Sequence, residues 1–274
     1  MNILLTGATS GIGWETFKSL WKDGHQMILP VRNMKKAIDL LEGFGANERV
    51  YLVQMDLADL KSVNEATKDI SSKYQSIDII INNAGGMFPP KKKTVEGLDE
   101  SFVVNHLGHF LLTKHLIHLL PKDLGKVISV SSKVHQIGKA NPSDLGLNKS
   151  TSSFASYASV KLYNILFTKL LRKKYSEQNL QAYALHPGAV NTSFGNSSGS
   201  IEKAIIGFSK LFFISPKKGA ETTLYLANTP SSKLTNGGYY QRKKFASVSS
   251  KANDLELAEK LWQFSETEVK RILD

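Results

Sequence analysis

The sequence contains no cysteine. That excludes a disulfide framework, a thiolate nucleophile and a cysteine-based zinc site, and it suits a reducing compartment. Acidic residues are also few, 24 against 35 lysines and arginines, which leaves a formal charge of +11 on 274 residues. The basic excess lies in short scattered clusters such as 91–93, 172–174 and 242–244. It neither follows one helix nor alternates with aromatics, so a solvated surface is expected and a nucleic-acid partner is not. The opening MNILLTGATSG has no basic n-region and no long apolar span, so neither a signal peptide nor a membrane anchor is expected, and a cytoplasmic location is. Internal repeats and dividing linkers are missing too. One domain over 1–274 is therefore expected, with 41% hydrophobic residues to build its core.

What the chain does have is alternation. The runs at 2–6, 26–31, 49–55, 77–82, 126–131 and 181–186 are almost wholly apolar, as strands covered on both faces should be. Helical spacing intervenes near 12–23, 33–42, 59–75, 99–120 and 154–176. Right-handed crossovers between such strands predict an α/β fold, a Rossmann-type doubly wound parallel sheet flanked by helices on both faces. The long irregular stretches at 133–153 and 191–215 follow strand ends, where open sheets of this kind bind ligands, and are expected to carry substrate contacts.

TGATSGIG (6–13) joins the first strand to the first helix. Gly7 permits the tight turn, and Gly11 and Gly13 let backbone approach a pyrophosphate at the positive end of the helix, with Ser10 and Ile12 in the same cradle. A dinucleotide fold reads the ribose at the end of strand two. No carboxylate stands there. PVRNMKKA offers Arg32, with Asn33 and Lys36 close by. A guanidinium suits the 2′-phosphate of NADP(H), where an acid would suit the free hydroxyl of NAD.

YASVK puts Tyr157 and Lys161 at i and i+4, on one helix face. A cation about 4 Å from a phenol, at an effective dielectric near 20, is worth about 4 kcal/mol, enough to lower the phenol by roughly three pKa units. By itself the spacing says little. In company it says more: TGATSGIG, MDLAD (55–59), INNAG (81–85), VNHLGHF (104–110), SVSS (129–132), YASVK and HPGAVNT (186–192) follow one another in an order that resembles the short-chain dehydrogenase/reductase family over essentially the whole chain. SPKKGAETTLYLA (215–227) and the C-terminal stretch 237–266 resemble its retinol-dehydrogenase-like branch.

The resemblance implies roles position by position. Tyr157 is the expected general acid at the carbonyl oxygen, Lys161 its tuning cation and a holder of the nicotinamide ribose, Ser132 a second hydroxyl on the same oxygen, and Asn105 the holder of a relay water. Register alone selects Ser132 over Ser131. Asp56 and Leu57 fall on the adenine side and Asn83, Ala84 and Gly85 on the adenosine ribose. Pro187, Gly188, Val190 and Thr192 are expected on the carboxamide side. An acid, a cation and a hydroxyl converging where charge develops on oxygen is coherent chemistry. His106 and His109, like His115 and His118, stand at i, i+3, yet no cysteine or acidic partner accompanies them, and no metal site is expected.

The expected function is NADP(H)-dependent hydride transfer between nicotinamide and a carbonyl or alcohol, acting on apolar aldehydes or ketones. The alternative is an NADP(H)-binding regulator or scaffold without turnover. IEKAIIGFSKLFFI (201–214) spaces its apolar residues as one helical stripe after a Gly/Ser-rich hinge. It is expected to close over the cofactor as a lid and to touch membrane surfaces peripherally. Monomer and homodimer are both compatible with the sequence.

Overall fold

β1 (Asn2–Leu5), β2 (Gln26–Val31), β3 (Val50–Gln54), β4 (Ile79–Asn82), β5 (Lys126–Val130) and β6 (Gln181–His186) form where the six apolar runs lie. The structure is a computed structural model, described here for residues 1–46, 48–188 and 214–274. The strands are parallel, in the order β3-β2-β1-β4-β5-β6, and two more extend the sheet. β7 (Tyr239–Gln241) runs parallel to β6, and β8 (Lys244–Phe245) turns back antiparallel on β7. These two were missed in the sequence because three and two residues leave no periodic run. The order reverses between β1 and β4, which opens a crevice at the carboxyl ends of those strands.

Each strand feeds two cores, because successive side chains point to opposite faces. Leu4, Ile28 and Ile80 are buried on one side with α3 (Leu60–Lys73), α5 (Gly108–Leu116) and α6 (Ser153–Lys174). Ile3, Leu5 and Met27 are buried on the other with α1 (Gly11–Lys22) and α2 (Met34–Phe44). The doubly wound α/β domain expected from the sequence is therefore the one observed. Two further helices complete it: α7 (Pro216–Asn228) on the α1 side and α8 (Leu255–Leu273) on the α6 side. Trp262 of α8 packs edge-on against Phe110 at 4.8 Å, and Lys174 of α6 pairs with Glu259 at 2.8 Å.

The predicted helix over 99–120 is not continuous. It breaks into α4 (Glu100–Phe102), a π turn at Val103–Leu107, α5, and a 3-10 turn at Ile117–Leu119. The cause is local. Asn105 turns its amide back onto the Ser101 carbonyl at 2.9 Å, and the Gly108 amide reaches the Val103 carbonyl, one residue beyond the α-helical partner. Gly108 also lies hard against the segment that follows β3: a Cβ there would stand 2.8 Å from the Leu57 carbonyl oxygen. Among the described residues no helix is long and apolar enough to cross a membrane.

Candidate active site

The glycine loop leaves β1 through Gly7, at φ +71, and enters α1 through Gly11, at φ +52. A Cβ on Gly13 would lie 2.0 Å from the Gly7 carbonyl oxygen, so only glycine allows the loop to fold this tightly on the helix. In α2, α3, α6, α7 and α8 the N-cap side chain accepts a first-turn amide; exposed Ser10, at the N-cap of α1, makes no such bond. The first-turn amides of α1 are thus open to a phosphate. Ile12 is half-buried beside them. Arg32 is exposed directly after β2, its backbone carbonyl held by Gln54 Nε2 at 3.1 Å. Asn33 spends its side-chain oxygen capping α2, accepting from Lys36 N at 2.9 Å.

Asp56 and Leu57 lie past the end of β3, where Asp56 Oδ1 accepts from Ala58 N at 2.9 Å and Leu57 is buried against Gly108. Across the crevice, Thr6 ties the β4 loop to the glycine loop. Its Oγ1 accepts from Asn83 N and Ala84 N, both at 3.0 Å, while Asn83 Nδ2 donates to the Thr6 carbonyl at 2.8 Å. The Thr6 proton then faces His109 Nε2 at 3.0 Å and, farther off, the Ile81 carbonyl at 3.4 Å. With the shorter bond made, His109 Nδ1–H is left to donate to the Asn105 carbonyl at 3.4 Å. Burial pushes His109 down to about 3 and keeps this link neutral.

Asn105 sits wholly buried in the π turn, exchanging two bonds with Gly86: Oδ1 accepts from Gly86 N at 3.0 Å and Nδ2 donates to Gly86 O at 3.1 Å. Exposed Gly85 is the point where the loop meets α6. A Cβ on it would stand 2.5 Å from Asn105 Oδ1 and 3.6 Å from Lys161 Nζ. Lys161, buried, donates to the Val130 carbonyl at 3.1 Å and holds its ammonium 5.3 Å from the Tyr157 ring centre. Ser132 hydrogen-bonds the Tyr157 hydroxyl. Ser131 is spent elsewhere, its hydroxyl donating to the Lys161 carbonyl at 2.6 Å, so Ser132 alone of the pair faces the phenol.

One expectation is reversed. The sequence argument counted the Lys161 charge and had Tyr157 lowered; in the structure burial pushes the phenol up, and the Ser132 hydrogen bond opposes it only in part. Tyr157 keeps some solvent-exposed surface, yet enough protein surrounds it for desolvation to dominate. The same burial pulls Lys161 down to about 8. The consequence is a phenol that holds its proton beside an ammonium that is still charged at neutral pH.

Pro187 and Gly188 follow β6, Gly188 at φ +103 with Ile214 packed against it. Val190, Thr192 and nearly all of the 191–215 stretch, with the lid helix expected at 201–214, lie outside the described residues. The 133–153 stretch opens with a 3-10 turn, Lys133–Ile137, capped by Ser132. His106 is fully buried and meets Ser265 Oγ of α8 at 3.0 Å, while His115 meets Thr67 Oγ1 at 3.3 Å. The residues missed in the sequence are Thr6, His109 and His135; the VNHLGHF motif held the signal for His109, four positions after Asn105. The glycine cradle, the open end of α1 and the exposed Gly85 beside Lys161 together fit a nicotinamide dinucleotide.

The family model for short chain dehydrogenase matches residues 1–203. Retinol dehydrogenase 11 of Mus musculus is 34% identical over 266 residues, covering 96% of this chain and 84% of that protein. An uncharacterized protein from Mycobacterium Paratuberculosis aligns with a TM-score of 0.77 at 30% identity, over 98% of this chain and 93% of the other. An NADPH-bound carbonyl reductase from chicken fatty liver shares the fold at a TM-score of 0.68 and 20% identity, over 90% of this chain and 98% of its own.

Proposed function

The chain belongs to the short-chain dehydrogenase family, and from that premise we propose that it reduces apolar aldehydes or ketones with NADPH, with alcohol oxidation as the reverse reaction. Membership makes it an oxidoreductase that acts on CH–OH and C=O groups with a nicotinamide cofactor. The observation that carries the finer reading is the Ser132–Tyr157 hydrogen bond beside the buried Lys161 ammonium. The cofactor, when bound, supplies the hydride.

The chain's own residues do the rest. A phenol kept protonated by burial is a proton donor, and Tyr157 gives its proton to the substrate oxygen as charge develops there. Ser132 donates to the same oxygen, and the Lys161 ammonium offsets the negative charge left on the phenol. Asn105 fixes the loop through Gly86, which keeps Gly85 against Lys161. Arg32, exposed and in no ion pair among the described residues, meets the 2′-phosphate, which favours NADPH over NADH.

Support for an apolar substrate comes from the rim. Phe154 lies one helical turn before Tyr157, and exposed Ile137 ends the short turn that starts after Ser132, next to Gly138, whose Cβ position would be 2.4 Å from the Ala158 carbonyl. Large apolar alcohols are also what the names of the retinol dehydrogenase relatives specify. The test follows NADPH absorbance over a series of aldehydes. kcat/KM should rise with chain length, each buried methylene adding about 0.8 kcal/mol until the rim is covered. Short polar aldehydes emerging as the best substrates would overturn the apolar assignment.

A further inference from the structure

His135 is almost wholly buried, at 1% exposure, between the Ser132 backbone and the segment that follows β8. Its Nε2 lies 3.3 Å from the Ser249 amide, and its Nδ1 lies 2.7 Å from the Ser132 carbonyl oxygen. Both partners are backbone groups with fixed roles. An amide can only donate, so Nε2 is the bare acceptor; a carbonyl can only accept, so Nδ1 carries the proton. The tautomer is thereby set without choice. Tyr239 of β7 packs edge-on against the imidazole at 5.0 Å and holds its plane. The Ser249 end is anchored as well: Ala246 N donates to the Tyr239 carbonyl at 2.8 Å, Ala252 N to the Ser249 carbonyl at 3.0 Å, and Ala252 is fully buried.

We propose that His135 is a positioning residue through which the C-terminal segment 246–254 sets the orientation of Ser132, and hence of the hydroxyl that meets Tyr157. The inference rests on the reading of Ser132 as a group that touches substrate. Its logic is a relay of geometry, not of protons. The bonds at Ser132 are these: its carbonyl takes the His135 amide at 3.1 Å and the imidazole at 2.7 Å, and its hydroxyl, bonded to Tyr157, takes the Val134 amide only at 3.4 Å. If the Ser249 amide is withdrawn, the Ser132 carbonyl still keeps the proton on Nδ1, but Nε2 loses the tether that fixes where the ring stands. The imidazole, and the Ser132 carbonyl bonded to it at 2.7 Å, are then free to shift together. This makes the region after β8 part of the catalytic apparatus, although it lies beyond the 1–203 matched by the family model.

The experiment uses Ser249→Pro, which fits the φ of −62 already present but replaces the amide donor by a ring carbon set against Nε2, so that the tether is broken and the imidazole is pushed from its place. His135→Asn keeps a donor near the Nδ1 position, whereas His135→Gln places its amide near Nε2. Ser249→Pro, His135→Gln and His135→Asn each break the chain from Ser249 to the Ser132 carbonyl at one end, and each should lower kcat about tenfold, measured well below the Tm of every variant, with NADPH affinity near wild type. In a Ser132→Ala background none of the three should cost more. Losses that persist undiminished in Ser132→Ala, or a His135→Asn variant that keeps wild-type kcat, would overturn the proposal and leave His135 a packing residue. A second readout is independent of turnover. Long-range 1H–15N correlation should find His135 in the Nδ1–H form in wild type; an Nε2–H form there would overturn the link. Absence of turnover with every carbonyl would count against the proposed function instead, while the tautomer measurement still decides the link.

Discussion

Replacing Tyr157 by phenylalanine removes one oxygen from a half-buried site and with it the proton donor of the proposed reaction. Turnover should fall on the order of a thousandfold while NADPH still binds, because a lost proton donor is not replaced by packing. Single-turnover kinetics that kept a tenth of the wild-type rate would refute the role. Arg32 offers a second test. Its backbone is held by Gln54 and its side chain is exposed, so Arg32→Ala should weaken NADPH roughly ten- to a hundredfold and leave NADH nearly unchanged in titration calorimetry. At this scale the sequence was most informative about adjacency and least about environment. Spacing of four put Tyr157 beside Lys161, but only the fold gives the desolvation that pushes the phenol up and the ammonium down to about 8. Similarly, SVSS offered two serines, and the choice depended on where the hydroxyls point: Ser131 into the Lys161 carbonyl, Ser132 to Tyr157.

At the scale of elements, the six longer strands were legible because each is an almost wholly apolar run, whereas the break in the helix over 99–120 was not, since a widened turn leaves the apolar spacing of the sequence unmarked. Asn105 Nδ2 donates to the Ser101 carbonyl where the ladder widens to a π turn, and the Asn105 carbonyl meets His109 Nδ1 one turn on. Asp99, which opens this stretch, has its own cost. It is buried, accepts from Ser101 N at 3.0 Å and Phe102 N at 3.3 Å, and is pushed up by desolvation to about 6. Its folded form therefore holds a proton more tightly than the unfolded chain, whose carboxyl titrates near 3.8. Between about pH 4 and 6 the folded state binds more protons, so stability falls as pH rises through that window and levels off above it. Asp99→Asn keeps an acceptor for both amides and removes the charge. It should stabilise the protein by at most about 3 kcal/mol at pH 7.5 and by little near pH 4, read from urea midpoints at the two pH values. A benefit equal at both pH values would show that the Asp99 charge is not the cause.

For the whole molecule, the question is whether the C-terminal part is an appendage or a layer of the domain. β7 joins the sheet beside β6, Ser249 meets His135, and α8 lays Leu257, Leu261 and Trp262 onto the core shared with α6, the helix that carries Tyr157 and Lys161. The sequence reading placed no helix over 255–273, only a resemblance to the family branch over 237–266, so neither this element nor the core it joins was foreseen. Trp262 is 4% exposed and stacks at 6.0 Å on Phe167 of α6, so Trp262→Ala should cost about 3–5 kcal/mol. The chain has three tryptophans, and the other two, Trp14 and Trp21, stand on α1 across the sheet. Once Trp262 is gone, fluorescence reports only that far side. If both faces of the sheet fold as one cooperative unit, the fluorescence midpoint of Trp262→Ala must drop by the same denaturant concentration as the midpoint from far-UV circular dichroism. A fluorescence midpoint left at the wild-type value, with circular dichroism split into two steps, would mean that α6, α8 and the catalytic pair unfold separately from the glycine-loop half. The loss would then remove the active site while the nucleotide cradle on α1 stayed folded.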